Sequence, residues 1–312
     1  MNYKILRRNL YIKEKKLGGD LVSYRHTNKI LHNQEKWDIA KKGTAAGTIF
    51  LHTKKGVIVA RSFNRFFNIG EMDETSWCEL KDSLVFPIDV FVKENGFLGL
   101  VSWDKQEQKL FISSKTVIRG DFARWFEGIL KKSVDMEKLE EYVKEYDVTF
   151  AFEVIDIVND PHIVEYQESK VVLLDIIKNQ EEECCVDYAV LRSVAGKIGA
   201  ECKKLYVTLD NMEEFGEFVD RAKKMEGLEG FVIVDRNGYR LKIKTNWYLK
   251  WRKVRGVIAK KNEDIKLDVI EDEETKKFLK WFMMNRERFE NGITNRGKSL
   301  IYYRNMWRME NE

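Results

Sequence analysis

The sequence predicts an α+β fold followed by a small helical module at the C-terminal end. Three observations predict it. Short β-rich runs alternate with turn signals as far as about residue 250. Helical patterns interrupt these runs without the strict strand–helix–strand alternation of a doubly wound sheet. After about Arg255 the strand signal stops and helical spacing takes over.

In chain order, Thr48 to His52 and Val57 to Arg61 flank Lys54-Lys55-Gly56 and read as a hairpin. Val85 to Val92 is an apolar run. Helices are predicted over Asp121 to Lys132 and Met136 to Tyr146, after a strand at Leu110 to Ser113. Strands at Thr149 to Ile157 and Val171 to Ile177 follow, then helices over Tyr188 to Ile198 and Met212 to Met225. Asn237-Gly238 joins the runs Gly230 to Val234 and Tyr239 to Ile243 as a second hairpin. Phe278, Leu279, Phe282 and Phe289 have helical spacing within Glu273 to Phe289, and Ser299 to Met309 reads as a further helix. The chain thus divides into residues 1–254 and a helical module over 255–312, joined through the acidic stretch Glu263 to Glu274, which reads as a solvated connector.

Composition narrows the function classes. The 312 residues are 44% hydrophobic and 34% charged, which excludes a disordered or collagen-like chain and supplies a sizeable core. No apolar run reaches the ~18 residues of a membrane span, and the charged N-terminus lacks the apolar middle of a signal peptide. A cytoplasmic protein without membrane contact is therefore expected. The net charge of +4 is too weak to establish nucleic-acid binding, so any basic surface must be local. Cys78, Cys184, Cys185 and Cys202 form no C-x-x-C pair, and the four histidines are scattered, which argues against a structural zinc site or a disulfide framework.

One motif match fails on context. Gly292 to Ser299 fits G-x-x-x-x-G-K-[ST], but a phosphate-binding loop must join a buried strand to a helix. Here the preceding segment is helical and no nucleotide-binding sheet can follow. A helix-to-helix turn is expected instead.

The informative feature is an ordered series: Lys93-Glu94-Asn95-Gly96 after an apolar run, Phe152-Glu153 in a strand, Glu229-Gly230-Phe231 opening another, and Leu241-Lys242-Ile243-Lys244 closing the hairpin. Singly, Lys242 and Lys244 read as a solvated strand face, Glu153 as an exposed strand residue and Phe66-Phe67 as core. In order, the series resembles the covalent nucleotidyltransferases, the superfamily of ATP-dependent ligases and mRNA-capping enzymes. More narrowly, it resembles the phage-type RNA ligase 1 family, which is related to fungal tRNA ligase. The narrower resemblance rests on Ala60 to Asn68 (A-R-S-F-N-R-F-F-N), Ser114-Lys115, Pro161 to Tyr166 (P-H-I-V-E-Y) and Lys242 to Tyr248 (K-I-K-T-N-W-Y).

The resemblance implies a nucleotidyltransferase core of antiparallel sheets with flanking helices. It also implies an ATP-dependent RNA ligase that joins 5′-phosphate and 3′-hydroxyl ends through a lysine–AMP intermediate, in RNA or tRNA repair. Lys93 would be adenylylated, Glu153 would hold the ribose hydroxyl, and Glu229 would help bind the metal. Lys242 and Lys244 would contact the α-phosphate, with Tyr248 nearby. Arg65 and Phe67 match the segment before the nucleophile, where a basic residue serves the outer ATP phosphates, and Lys115 matches a basic position after it.

The residue types suit such chemistry. A covalent intermediate splits one hard step into easier ones. A lysine attacks only as a neutral amine, and nearby cations disfavour its ammonium form. Lys242 and Lys244 are two apart on a strand and leave the same face. Gly96 leaves space for the turn that carries Lys93. Carboxylates with phosphate oxygens, and no Cys or His ligands, favour Mg²⁺ (or Mn²⁺). Leu174 is a candidate for the adenine contact.

Three positions depart from the family pattern. Ala46 stands where an arginine tied to phosphate handling is expected. Arg65 replaces a common lysine and keeps the charge. His162 replaces a frequent arginine and is expected to have a structural task. The implied partner is RNA, including cleaved tRNA, with a separate end-healing enzyme. The segments Lys250 to Arg255 and Tyr302 to Arg308 interleave cations and aromatics that can clamp phosphates and stack bases. Two alternatives stay open: a catalytically weakened RNA-end-binding protein, motivated by Ala46, and a capping-type guanylyltransferase.

Overall fold

The structure is a computed structural model and describes residues 3–258, 272–285 and 299–311. It is an α+β fold with three sheets. The first comprises β1 (Ile12–Gly18), β2 (Leu21–His26), β3 (Thr48–His52) and β4 (Val57–Arg61), all antiparallel in that order. The remaining strands are β5 (Phe67–Asn68), β6 (Ile88–Lys93), β7 (Phe97–Asp104), β8 (Lys109–Ser114), β9 (Val148–Ile155), β10 (Lys170–Lys178), β11 (Glu201–Cys202), β12 (Leu205–Leu209), β13 (Gly230–Val234) and β14 (Arg240–Lys244). They form a second sheet, β11-β10-β9-β7-β8, and a third, β12-β6-β13-β14-β5.

The helices are α1 (Tyr3–Arg8), α2 (Gln34–Lys41), α3 (Trp77–Ser83), α4 (Asp121–Ser133), α5 (Met136–Tyr146), α6 (Tyr188–Ile198), α7 (Met212–Lys224), α8 (Asn246–Ile258), α9 (Glu273–Met284) and α10 (Leu300–Asn311). Both sequence-predicted hairpins form, and α4 to α7 match their expected spans within a residue. None of the described helices is long and apolar enough to cross a membrane.

Amphipathic spacing explains the packing. On α4, Ala123, Phe126 and Leu130 face inward; on α5, Leu139 and Val143 do so. They cover Phe150, Phe152 and Val154 of β9. Asp135 caps α5 by accepting the Lys138 N–H, and Asn211 caps α7 through the Glu214 N–H. On α7, Phe215, Phe218, Val219 and Ala222 pack beneath Val90, Phe231, Leu241 and Ile243 of the third sheet. Leu21, Phe50 and Ala60 of the first sheet meet Leu100, Phe111 and Ala151 of the second.

Several elements were not individually expected. Strand β7 is central in its sheet, and its residues 99–104 are all buried, so the alternation that marks a strand is missing. Strand β1, rich in lysine, is an edge strand held by its partner. Helices α2 and α3 are only 8 and 7 residues long.

At the C-terminal end, Trp247, Tyr248, Trp251 and Val254 of α8 pack with Phe278 and Leu279 of α9 and Leu300 of α10. Position 254/255 falls within α8, so this helix contributes to both parts of the division drawn from sequence. The Gly292–Lys298 part of the phosphate-loop match and most of the acidic connector lie outside the described residues, as does Phe289.

Candidate active site

The lysine motif sits in the tight β6–β7 turn, where the second and third sheets meet. Lys93 ends β6, and Gly96 precedes β7. Gly96 is required by close approach: an added Cβ would lie 2.1 Å from the Val154 carbonyl oxygen of β9. Its N–H donates to Glu153 Oε1 at 2.8 Å, which ties the turn to the neighbouring strand. Gly230, at φ +152°, lets β13 pass β14 where a Cβ would meet the Ile243 oxygen at 1.9 Å. The preceding Glu229 thereby enters the site.

Glu229 is the electrostatic centre. Its Oε1 lies 3.2 Å from Lys93 Nζ and 2.9 Å from Lys244 Nζ, and its Oε2 accepts from Asn95 Nδ2 at 2.8 Å. Lys93 Nζ also donates to the Glu94 carbonyl at 3.3 Å. Burial works against the Lys93 ammonium, but Glu229 and Glu153 outweigh it and raise the pKa. This corrects the expectation that neighbouring cations hold Lys93 as a free amine. The cations are present, but a buried carboxylate stands between Lys93 and Lys244. Burial raises the pKa of Glu153; at Glu229 burial is overcome by Lys93 and Lys244, and the pKa falls.

Lys242 is a strongly depressed amine. Burial, aided by Lys244, Lys93 and Arg65 and opposed by Glu71, pushes it down to about 8. Its Nζ donates to the Phe66 carbonyl at 3.1 Å and lies 5.2 Å from the Phe66 ring centre. Burial also lowers Lys244, whose Nζ sits 4.8 Å above the Tyr248 ring. Tyr248 is buried beside Asn95, with its hydroxyl 3.5 Å from Asn95 Nδ2.

A cavity of about 290 Å³ opens on Lys93. Its lining is mixed: Lys93, Glu94, Lys115, Glu153, Lys203 and Arg240 are charged, and Phe63, Phe66, Leu98, Leu174, Val232 and Val234 are among the apolar residues. Leu174, singled out from sequence, is in this lining. Phe67 is not: it is buried against Trp37, with ring centres 5.2 Å apart. Arg65 lies over the Phe67 ring at 5.5 Å, and burial lowers its pKa. Phe66, not Phe67, therefore faces the Lys93 cavity.

Sequence reasoning missed the clamp on the turn. Tyr166 Oη donates to Glu94 Oε2 and accepts the Asn95 N–H, both at 2.8 Å. Asn95 Oδ1 accepts from the Ile163 and Val164 N–H groups at 3.1 and 3.2 Å. Both residues lie in quoted motifs, but their partners are about 70 positions away and only the fold joins them. Ala46 is buried among Leu6, Val22 and Tyr24, so its position offers no cation. His162 Nε2 lies 2.9 Å from Asp160, and its Nδ1 is 3.2 Å from Arg255, which fits the structural task expected of it.

The RNA ligase family model matches residues 45–248, more than half of the chain. Solved structures with a similar fold include an archaeal ATP-dependent RNA ligase (form 2), with TM-score 0.54 and 15% identity over 79% of this chain and 61% of that one. A putative ATP-dependent DNA ligase from Aquifex aeolicus gives 0.55 and 14% over 92% and 71%. The Naegleria gruberi RNA ligase with PPi gives 0.51 and 12% over 62% and 58%. The chain thus spans about three fifths of the archaeal form 2 and Naegleria structures. At these identities the likeness is one of fold. The match to the family model covers every element that builds the lysine site, from the strand before Arg65 to Tyr248, and the chain belongs to the phage-type RNA ligase family.

Proposed function

We propose that the protein is an ATP-dependent RNA ligase that joins 5′-phosphate and 3′-hydroxyl RNA ends through a Lys93–AMP intermediate, with cleaved tRNA among its substrates in RNA repair. The observation that carries this reading is the cavity at Lys93, whose lining offers apolar side chains suited to a base and the cations Lys93, Lys115, Lys203 and Arg240 suited to phosphates. The family match and the ATP-dependent ligases of like fold support it.

Lys93, as a neutral amine, forms an N–P bond to the α-phosphorus while the bond to the β-phosphate oxygen breaks and pyrophosphate leaves. The RNA 5′-phosphate then takes AMP from lysine, and the 3′-hydroxyl attacks that phosphate and releases AMP. Lys242 and Lys244 offer charge to the phosphate in flight. The second oxygen of Glu153 is available to a ribose hydroxyl, since Oε1 holds Gly96. Arg65 and Lys115 serve the outer phosphates.

The donor set fits a hard cation. Glu229 is a buried carboxylate that would supply one oxygen, with phosphate oxygens and water completing the shell. Glu229 would help hold Mg²⁺ or Mn²⁺, which would supply neutralisation of phosphate charge. As the structure stands, Lys93 is an ion-paired ammonium and must shed a proton before attack.

Incubation with α-labelled ATP and a divalent cation, followed by sealing of a nicked hairpin RNA, tests the proposal. Label on the protein and joined RNA are expected, and both are lost in Lys93→Ala. Labelling by GTP alone would indicate a guanylyltransferase. RNA binding without label or joining would indicate an end-binding protein, the reading that the buried Ala46 favours.

A further inference from the structure

The β1–β2 ribbon carries cations that the site chemistry does not use. Side chains two apart on a strand share a face. The register pairs Lys13 with Arg25 and Lys15 with Ser23. One face of the ribbon therefore carries Lys13, Lys15 and Arg25, all exposed, around the buried Ser23. That face is oriented by two contacts. Leu17 and Leu21 pack with Phe50, Leu100 and Phe111 at one end of the ribbon. Ser23 Oγ donates to the Thr116 carbonyl at 3.0 Å, which brings the ribbon against Lys115, a wall residue of the Lys93 cavity. Arg25 and Arg65 both help lower the Lys115 pKa, after desolvation, which places their charges nearby. Of the ribbon's carboxylates, Glu14 is on the opposite face, where it accepts from Tyr24 Oη at 2.7 Å and pairs with Arg7 at 3.3 Å, and Asp20 in the turn is taken by His52. Among the described residues, none of Lys13, Lys15, Arg25 and Lys115 is in an ion pair.

We propose that Lys13, Lys15 and Arg25 form a phosphodiester-binding face that continues from Lys115 and carries the single-stranded backbone of RNA next to the reacting end. Charge complementarity and continuity with the cavity select this occupant; the edge position of β1 leaves the row open on one side. The RNA part of this inference rests on the ligase reading.

The test is fluorescence-anisotropy binding of a 5′-phosphorylated single-stranded RNA across a salt series, without ATP. The chains compared are the intact protein, Lys13→Gln/Lys15→Gln/Arg25→Gln, and a control, Lys223→Gln/Lys224→Gln at the end of α7. Each phosphate neutralised on a single strand contributes about −0.7 to the slope of log affinity against log salt, so the triple variant should lower the slope magnitude by about 2. Its affinity at low salt should fall about tenfold or more, with the control unchanged. Unchanged slope in the triple variant, or an equal loss in the control, overturns the face. A circular-dichroism melt confirms that the variant folds, and Arg25→Gln alone provides a milder check with a smaller slope change. Unchanged RNA binding with weakened ATP binding would show instead that Arg25 serves the nucleotide, and also overturns the proposal. Failure of the ligase reading is seen separately, as absence of lysine–AMP in the intact chain.

Discussion

Burial works against the Lys93 ammonium, and Glu229 at 3.2 Å, with Glu153, outweighs it and keeps the proton on the amine. Glu229→Gln removes the nearer anion and leaves burial opposed by Glu153 alone among the carboxylates. The Lys93 pKa should then fall, as followed by an NMR titration of the lysine side chains. Lys242 gives the opposite case. It is cationic below about pH 8 and loses its charge above it. ATP affinity, measured in a Lys93→Ala background, should weaken as pH rises through that value. Lys242→Arg should hold its charge and flatten the profile. Lys93 and the carboxylates and cations proposed to work with it were legible in the sequence because their motifs follow one another in the order of the family they resemble. The Asn95–Tyr166 clamp was not, since a hydrogen bond between residues 71 apart leaves no local spacing to read. Nor could spacing show that Phe66 faces the cavity while its neighbour Phe67 packs on Trp37.

Among the elements, the β6–β7 turn depends on a backbone approach that only glycine permits. Gly96→Ala should destabilise the protein by about 1–3 kcal/mol in a denaturant melt, and displace Lys93, because the Val154 carbonyl cannot yield without disturbing β9. The first and second sheets are pinned by His52 of β3. Its Nδ1 lies 2.9 Å from Asp20, and its Nε2 lies 3.1 Å from Asp104 at the end of β7. Burial opposes the imidazolium, but the two aspartates raise the pKa. The stabilisation is therefore complete below the ordinary imidazole value of about 6.5, and is lost as pH rises through the raised folded value. The stability gap between the intact protein and His52→Gln, from melts at several pH values, should narrow over that rise. Helices α4 to α7 were readable from their apolar stripes. Strand β7 was not, since burial on both faces removes the alternation that marks a strand. Strand β1 was hidden by its lysines, which fit an exposed edge and, on the reading above, an RNA backbone.

Over the whole molecule, the C-terminal helices are coupled to the lysine turn through buried aromatic packing. Arg304 of α10 is buried, with its guanidinium 5.1 Å from the Trp247 ring and 5.3 Å from the Trp251 ring, and it pairs with Glu165. The next residue, Tyr166, holds Glu94 and Asn95. Arg304→Ala should cost about 1–3 kcal/mol in stability. The fold class was clear from the order of strand and helix patterns, but no periodicity reports that the second and third sheets meet at Lys93. The most direct measurement is peptide mapping by mass spectrometry after incubation with ATP and Mg²⁺. A mass gain of one AMP on the peptide that contains Lys93, absent in Lys93→Ala, is the result expected. Adenylylation of a different lysine, Lys242 above all, or of none, would contradict the account.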